Sequence, residues 1–238
     1  MEPREKSEPH IILVAGHWLG GWAWDRVAAR LTERGHHVEA VTLPGTSPGE
    51  VTATLTDQVN ALAHVAGRQS VTPVVVAHSG AGRVITGVLD RDPASVRRVI
   101  YVESGPAADG SVFDPGVPED LECLELPSWD ELSEGGASLE GLSVSDLATF
   151  RERAVPVPGA VARERLDLSN DARLAVPTTI IATSLASEVM MELASQGHPM
   201  FAEVSRLTDL ELVDLPTGHW PMWSRPDDLA DAIAAAVR

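Results

Sequence analysis

The stretch Val74-Val75-Val76-Ala77-His78-Ser79-Gly80-Ala81-Gly82 decides how the rest of the chain reads. A short, mostly β-branched run leads to a serine with alanine two residues before and two after it, and helical spacing follows over 81–90. Such a serine belongs on a tight strand-to-helix turn, where bulky neighbours at ±2 would collide with the turning backbone. The turn exposes the hydroxyl at the strand's carboxyl end. It also aims a helix N-terminus there, which favours developing negative charge. The plain alternative is a helix-capping serine in an ordinary strand-turn-helix.

Working outward, similar short runs recur at 11–14, 38–43, 99–102, 178–181 and 210–213. Several are apolar on both alternating faces, as parallel strands covered on each side must be. Helical spacing fills 22–34, 54–67, 186–206 and 227–237 between and after them. This alternation predicts an α/β fold, a mainly parallel wound sheet of about six strands with helices on both faces. Right-handed crossovers would bring every carboxyl strand end to one edge.

The rhythm breaks once, between Val102 and Pro177. We read about 104–176 as a lid inserted into a single domain spanning 10–238, with helical patches near 128–134 and 143–153 and a flexible tail at 1–9. Between Arg98 and Arg151 the chain carries 12 acids and neither Lys nor Arg. That pattern suits a solvated surface, or a negative field that disfavours anionic substrates and admits neutral or cationic ones.

Composition bounds the rest. The 238 residues are 44% hydrophobic and 22% charged, enough apolar material for one full core. A net charge of −17, from 35 acids against 18 bases, argues against nucleic acid and anionic membranes as partners. The lone Cys123 excludes an internal disulfide. No apolar run approaches a membrane span and the first nine residues hold no apolar stretch, so a cytoplasmic protein is expected. Phosphate-loop and zincin motifs are missing, and Gly16-His17-Trp18-Leu19-Gly20-Gly21 lacks dinucleotide-fingerprint spacing. No cofactor and no metal are expected.

Two further segments bear on Ser79. Ala15-Gly16-His17-Trp18 ends the first strand in a sharp turn, where the His17 N–H, with that of Gly80, can donate to an oxyanion. Leu215-Pro216-Thr217-Gly218-His219-Trp220-Pro221 follows the last strand and puts a histidine on a loop at the same edge. His219 can then serve Ser79 as general base, a context no other histidine here shares. Five of the six tryptophans lie within a few residues of the early turn or His219. Trp22 and Trp24 suit core packing, whereas Trp18, Trp129 and Trp220 are candidates for an apolar substrate pocket.

These three segments, in this order, resemble the α/β-hydrolase superfamily, and in particular its small lid-bearing serine esterases with a tryptophan-rich opening such as Gly20-Gly21-Trp22-Ala23-Trp24. The likeness runs from His10 to Arg238 and is loosest in the lid. It implies a serine–acid–histidine triad in chain order, carried by Ser79 and His219. The usual elbow glycines are Ala77 and Ala81 here, and Ala186 stands about where many members carry the aspartate. Branches that place the acid one strand earlier match Glu103, with Glu188 as the alternative. Gly80, often larger in the family, would leave room beside the serine. Trp220 replaces the lysine that plant hydroxynitrile lyases usually carry after the histidine. The resemblance implies a hydrolase of a small or medium apolar, uncharged carboxylic ester, acting through an acyl-enzyme. Thioester, lyase, perhydrolase or tailoring chemistry, and a non-hydrolytic ligand-binding role, are the alternatives.

Overall fold

In the computed structural model, which describes residues 9–237, six aliphatic runs form one parallel sheet. In chain order these are β1 (Ile11–Val14), β2 (Val38–Val41), β3 (Val74–His78), β4 (Arg98–Val102), β7 (Thr178–Ala182) and β8 (Leu210–Asp214). They lie side by side as β2-β1-β3-β4-β7-β8. The chain runs outward from β1 to β2, then crosses back to lay β3 on the other side of β1. The strand order therefore reverses between β1 and β3, where wound sheets open a crevice at their carboxyl ends.

Alternation along the strands sends side chains to two separate cores. Ile11, Leu13, Val74 and Val76 face α1 (Asp25–Glu33) and α8 (Pro226–Ala236). Ile12, Val14, Val75 and Ala77 face α2 (Leu55–Gly67) and α3 (Ala81–Arg91). All residues of β1 and β3 are buried, which explains why their sequences are apolar at every position but the last of β3, His78. The predicted fold class is the observed one.

Between β4 and β7 the chain makes β5 (Cys123–Leu124), α4 (Trp129–Glu134), α5 (Val144–Arg153), β6 (Val157–Pro158) and α6 (Gly159–Arg163). β5 and β6 pair antiparallel, a contact that two-residue strands ending at a proline give no periodicity to announce. Ser128 and Ser143 start α4 and α5 with reciprocal capping boxes to Glu131 and Asp146. The segment packs its apolar residues into the main body. Phe150 is fully buried, with its ring 5.0–5.6 Å from those of Trp129, Trp220 and Trp223. Arg83, from α3, donates to the carbonyls of Ser111 at 3.1 Å and Glu164 at 2.5 Å. Burial lowers its pKa to about 10, so it stays cationic at neutral pH.

The helix expected over 186–206 is a correction. α7 spans Ser187–Ser195, and short 3-10 turns follow at Pro199–Phe201 and Val204–Arg206. Gly197 takes φ +74 and hands the helix end to the Gly197 and His198 N–H groups, which bond to Ala194 and Leu193. Pro199 then cannot continue the ladder. The helix expected over 22–34 also starts late, as α1 from Asp25, after a 3-10 turn at Gly21–Trp24. Of the proposed tail, residues 1–8 lie outside the described residues, and Pro9 is buried. No described helix is long and apolar enough to cross a membrane.

Phe150 couples the β4–β7 segment to the sheet core, so Phe150→Ala should cost about 3–5 kcal/mol of stability. Guanidinium denaturation of the two proteins measures it. A loss below 1 kcal/mol would mean that the segment is not anchored through this ring.

Candidate active site

Three turns meet at the carboxyl edge, and each holds a non-glycine residue in the left-handed region. These residues are Trp18 at φ +62, Ser79 at φ +49 and Glu103 at φ +45, and among the described residues no other non-glycine does so. Such backbone costs on the order of 1–3 kcal/mol per residue and persists only where its surroundings over-determine it. At Ser79 the surroundings are clear. Its N–H donates to the Val102 carbonyl at 3.1 Å, and its own carbonyl accepts from Ser104 Oγ at 2.6 Å and the Gly82 N–H at 3.0 Å.

The alanines at the elbow are accommodated because the tight approach falls elsewhere. Ala77 and Ala81 are buried without displacing the turn. A Cβ on Gly16 would instead lie 2.9 Å from Ser79 Cβ and 3.2 Å from the Gly80 nitrogen. One on Gly82 would meet Ser104 Oγ at 2.4 Å. The β1 and β3 turns thus touch through a residue with no side chain. At this contact the His17 and Gly80 N–H groups have no acceptor among the described residues.

His219 reaches Ser79 from the loop after β8, its Nε2 2.9 Å from Ser79 Oγ. Three backbone contacts fix that loop. The His219 N–H donates to the Ser138 carbonyl at 2.7 Å and the Gly218 N–H to Glu140 at 3.2 Å, both in the β4–β7 segment. The His219 carbonyl lies 2.8 Å from His78 Nε2, which must carry the proton because a carbonyl only accepts. His78, beside the serine, was quoted in the motif, but nothing in its sequence context marked this role.

Glu103 extends from β4 into the loop after β7. Its Oε2 accepts from Thr183 N–H at 3.1 Å, Thr183 Oγ1 at 2.6 Å and Ser184 N–H at 3.1 Å, and its Oε1 accepts from Ser184 Oγ. Oε1 also faces His219 Nδ1 at 3.7 Å, close for an ion pair and long for a hydrogen bond. Burial pushes this carboxyl up. The His219 imidazole and the Ser184 and Thr183 donors overcome that and hold it at about 2. Glu188 is exposed on the first turn of α7 and has no contact with His219.

The remaining expected residues separate. Two cavities border the three turns. One, of about 20 Å³, lies against Gly16, His17, Trp18 and Gly80. The other, of about 400 Å³, lies against Ser104, Glu103 and His219. Trp18 lines the small one and donates its Nε1–H to the Leu124 carbonyl at 3.2 Å. Trp129 and Trp220 line neither. Trp220 is buried against Phe150, and Trp129 packs between Phe150 and the Arg151 guanidinium, so both serve the anchoring of the β4–β7 segment. The room expected beside Gly80 is filled as well. A Cβ there would fall 2.4 Å from His17 Nε2. His17 keeps some exposed surface, yet its Nε2 is enclosed without a partner. Burial drives the pKa of both His17 and His78 down to about 3, reinforced by Arg83 at His17 and by His219 at His78. Both rings are neutral near pH 7. No three His, Cys, Asp or Glu side chains among the described residues converge as a metal-holding set.

Comparison with known proteins identifies the family and the fold. Residues 11–232 match the family model of the alpha/beta hydrolase family. The carbendazim hydrolyzing esterase of a Nocardioides species is 26% identical over 95% of this chain and 98% of its own. The pyrethroid hydrolase of Sphingobium wenxiniae is 22% identical over 94% of this chain and 86% of its own. The crystal structure of the methylesterase MES16 from Arabidopsis superposes with a TM-score of 0.75 at 18% identity, covering 96% of this chain and 98% of that one. At that identity the likeness speaks for the fold alone.

Glu103 gives a pH test. Its carboxyl titrates at about 2 when folded against an ordinary 4.5, so the unfolded chain binds the extra proton between those values. Its stabilisation is complete above about pH 4.5 and is lost as pH falls through 2, with about 3 kcal/mol at stake. Denaturation of wild type and Glu103→Gln at pH 7, 4.5 and 3 should show a gap that is steady above 4.5 and shrinks below. A gap independent of pH would contradict the assignment.

Proposed function

The chain belongs to the alpha/beta hydrolase family, and from that premise we propose that it hydrolyses a small or medium, apolar, uncharged carboxylic ester through Ser79, His219 and Glu103. The observation that carries the reading is the 2.9 Å approach of His219 Nε2 to a serine hydroxyl on a left-handed turn, with a carboxylate on the far side of the ring. The esterase and hydrolase names of the relatives support the bond type.

Ser79 Oγ attacks the ester carbonyl carbon while His219 Nε2 takes its proton. The carbonyl oxygen becomes an oxyanion held by the His17 and Gly80 N–H groups, a contribution of about 3 kcal/mol per donor. As the imidazole becomes cationic, Nδ1–H tightens on Glu103, which stabilises the ion and fixes the tautomer; long separations of this kind are common without substrate. The proton then passes to the departing alkoxide, which leaves as an alcohol. Water, deprotonated by His219, attacks the acyl-Ser79 carbonyl; the bond to Ser79 Oγ then breaks, Oγ takes the proton back from His219 Nε2, and the carboxylic acid leaves.

Glu103 can play this part only because it remains ionised across the working range, and the His219 imidazole with the Ser184 and Thr183 donors ensures that. The substrate charge follows from the field. Twelve acids and no Lys or Arg between Arg98 and Arg151, in a chain of net charge −17, disfavour anionic esters.

A small fluorophosphonate should add once, on Ser79, by intact mass and peptide mapping. Ser79→Ala should lower kcat/KM on short esters by at least about 10³-fold. Glu103→Gln should lower kcat by about 10²–10⁴-fold with KM little changed. Ester turnover unchanged in Ser79→Ala would sink the proposal.

A further inference from the structure

His78 carries the one polar side chain of β3, and no step of the reaction above uses it. Alternation along the strand sends it to the face of Val74 and Val76, where the core is aliphatic and aromatic. The ring is 1% exposed and meets the buried Trp24 ring edge-on at 6.4 Å. A hydrocarbon would fill that position without the cost of burying two ring nitrogens. The imidazole is explained by its acceptor, since Nε2–H donates to the His219 carbonyl at 2.8 Å. Its Nδ1 has no partner among the described residues, and burial keeps the ring neutral near pH 7, so the proton sits on Nε2 alone.

We propose that His78 is a positioning residue for the general base: its Nε2–H holds the His219 peptide so that the His219 ring stays aligned on Ser79, and loss of this one donor lowers turnover without weakening substrate binding. The inference rests on the Ser79–His219 reading given above. The peptide between His78 and Ser79, the 2.8 Å bond to the His219 carbonyl and the 2.9 Å approach of His219 Nε2 to Ser79 Oγ close a ring. Nucleophile and clamp are neighbours on one backbone. Any shift of the β3 end that carries Ser79 therefore also carries the donor that holds the base. Ser138 and Glu140 hold His219 and Gly218 from the other side, through carbonyls of the β4–β7 segment. That segment ties the loop to the cover, whereas His78 ties it to the nucleophile's own strand.

The constraint reaches the reacting nitrogen in two ways. With its N–H bonded to Ser138 and its carbonyl to His78, the His219 backbone is fixed on both sides, and the side chain keeps only its χ rotations. Neighbouring rings restrict these in turn, His78 standing edge-on to the His219 ring at 5.2 Å and Trp220 at 4.8 Å. A donor lost at 78 leaves the His219 carbonyl without this partner and frees its peptide to turn. Proton transfer between Oγ and Nε2 is steep in distance, and a displacement of about 1 Å can cost about 10²-fold in rate.

Two substitutions separate the donor from the volume. His78→Gln keeps an N–H at about the reach of Nε2, whereas His78→Met keeps the length and offers no donor. On p-nitrophenyl acetate, His78→Met should lower kcat by at least about tenfold with KM within about twofold of wild type, and His78→Gln should restore kcat to within about threefold. Fluorophosphonate addition to Ser79, which needs the same base, should slow in parallel. Its final extent counts the folded sites, so that kcat is expressed per competent molecule. A side chain that served packing alone would change Tm and leave kcat per site as it was. In the wild type, histidine-selective 15N NMR should show His78 as the Nε2–H tautomer with a solvent-protected proton, a readout that needs no variant to fold. Wild-type kcat in His78→Met, equal losses in the two variants, or a proton on His78 Nδ1 would overturn the assignment while leaving ester hydrolysis standing. Undiminished ester turnover in Ser79→Ala, with no fluorophosphonate adduct on the wild type, would instead remove the hydrolase reading beneath it.

Discussion

The contact between two turns, Gly16 on one and Ser79 on the other, is the constraint from which the rest of the site follows. With Cβ of Ser79 only 2.9 Å from where a side chain at 16 would begin, the β1 turn can lie on the β3 turn only as glycine. This close approach is what brings two free N–H groups beside the serine hydroxyl. It also obliges Ser79 to keep φ +49, a conformation that open solvent would not maintain. The restoring bonds come from β4, through the Val102 carbonyl and Ser104 Oγ. Three neighbouring strands therefore share the cost of one exposed hydroxyl, and the hydroxyl sits where the strand order reverses.

The same logic explains how the acid can stand on β4. Seen from His219, the carboxylate is needed near the loop after β7, and Glu103 reaches that place with its longer side chain from the strand before. The β7 loop then has a different task. Instead of carrying charge it carries donors, two N–H groups and two hydroxyls from Thr183 and Ser184, and a half-buried carboxylate with four donors is stable as an anion. His78 and His17 follow the opposite rule. Both are neutral, His78 bonding to the His219 carbonyl and His17 packing on the Phe113 ring, so neither adds positive charge beside the serine.

Much of this was legible because it depends on residue type at a fixed place in the chain. Strands buried on both faces must be apolar throughout, so β1 and β3 announced themselves. A serine between small residues at a strand end, and a histidine on a loop after the last strand, are chemical signatures of position. What was illegible depends on which surfaces meet. The Gly197-His198-Pro199 break is written in the sequence, but the apolar spacing of 186–206 masks it. Trp129 and Trp220 looked like pocket walls because aromatic rings near a reactive residue suit either role; only the position of Phe150 assigns them to packing. Gly80 suggested space, and the space belongs to the ring of His17. In each case the deciding partner lies far away in sequence.

The β4–β7 segment shows why such partners matter for access. Ser138 and Glu140 hold the backbone of His219 and Gly218, so the segment does more than cover the sheet edge; it positions the general base. Raising it as one rigid cover would break those two hydrogen bonds, at about 1 kcal/mol each, and draw Phe150 out of the core, at about 2–3 kcal/mol more. It would also free the histidine loop that the chemistry needs in place. The same anchoring keeps the general base rigid where the serine needs it.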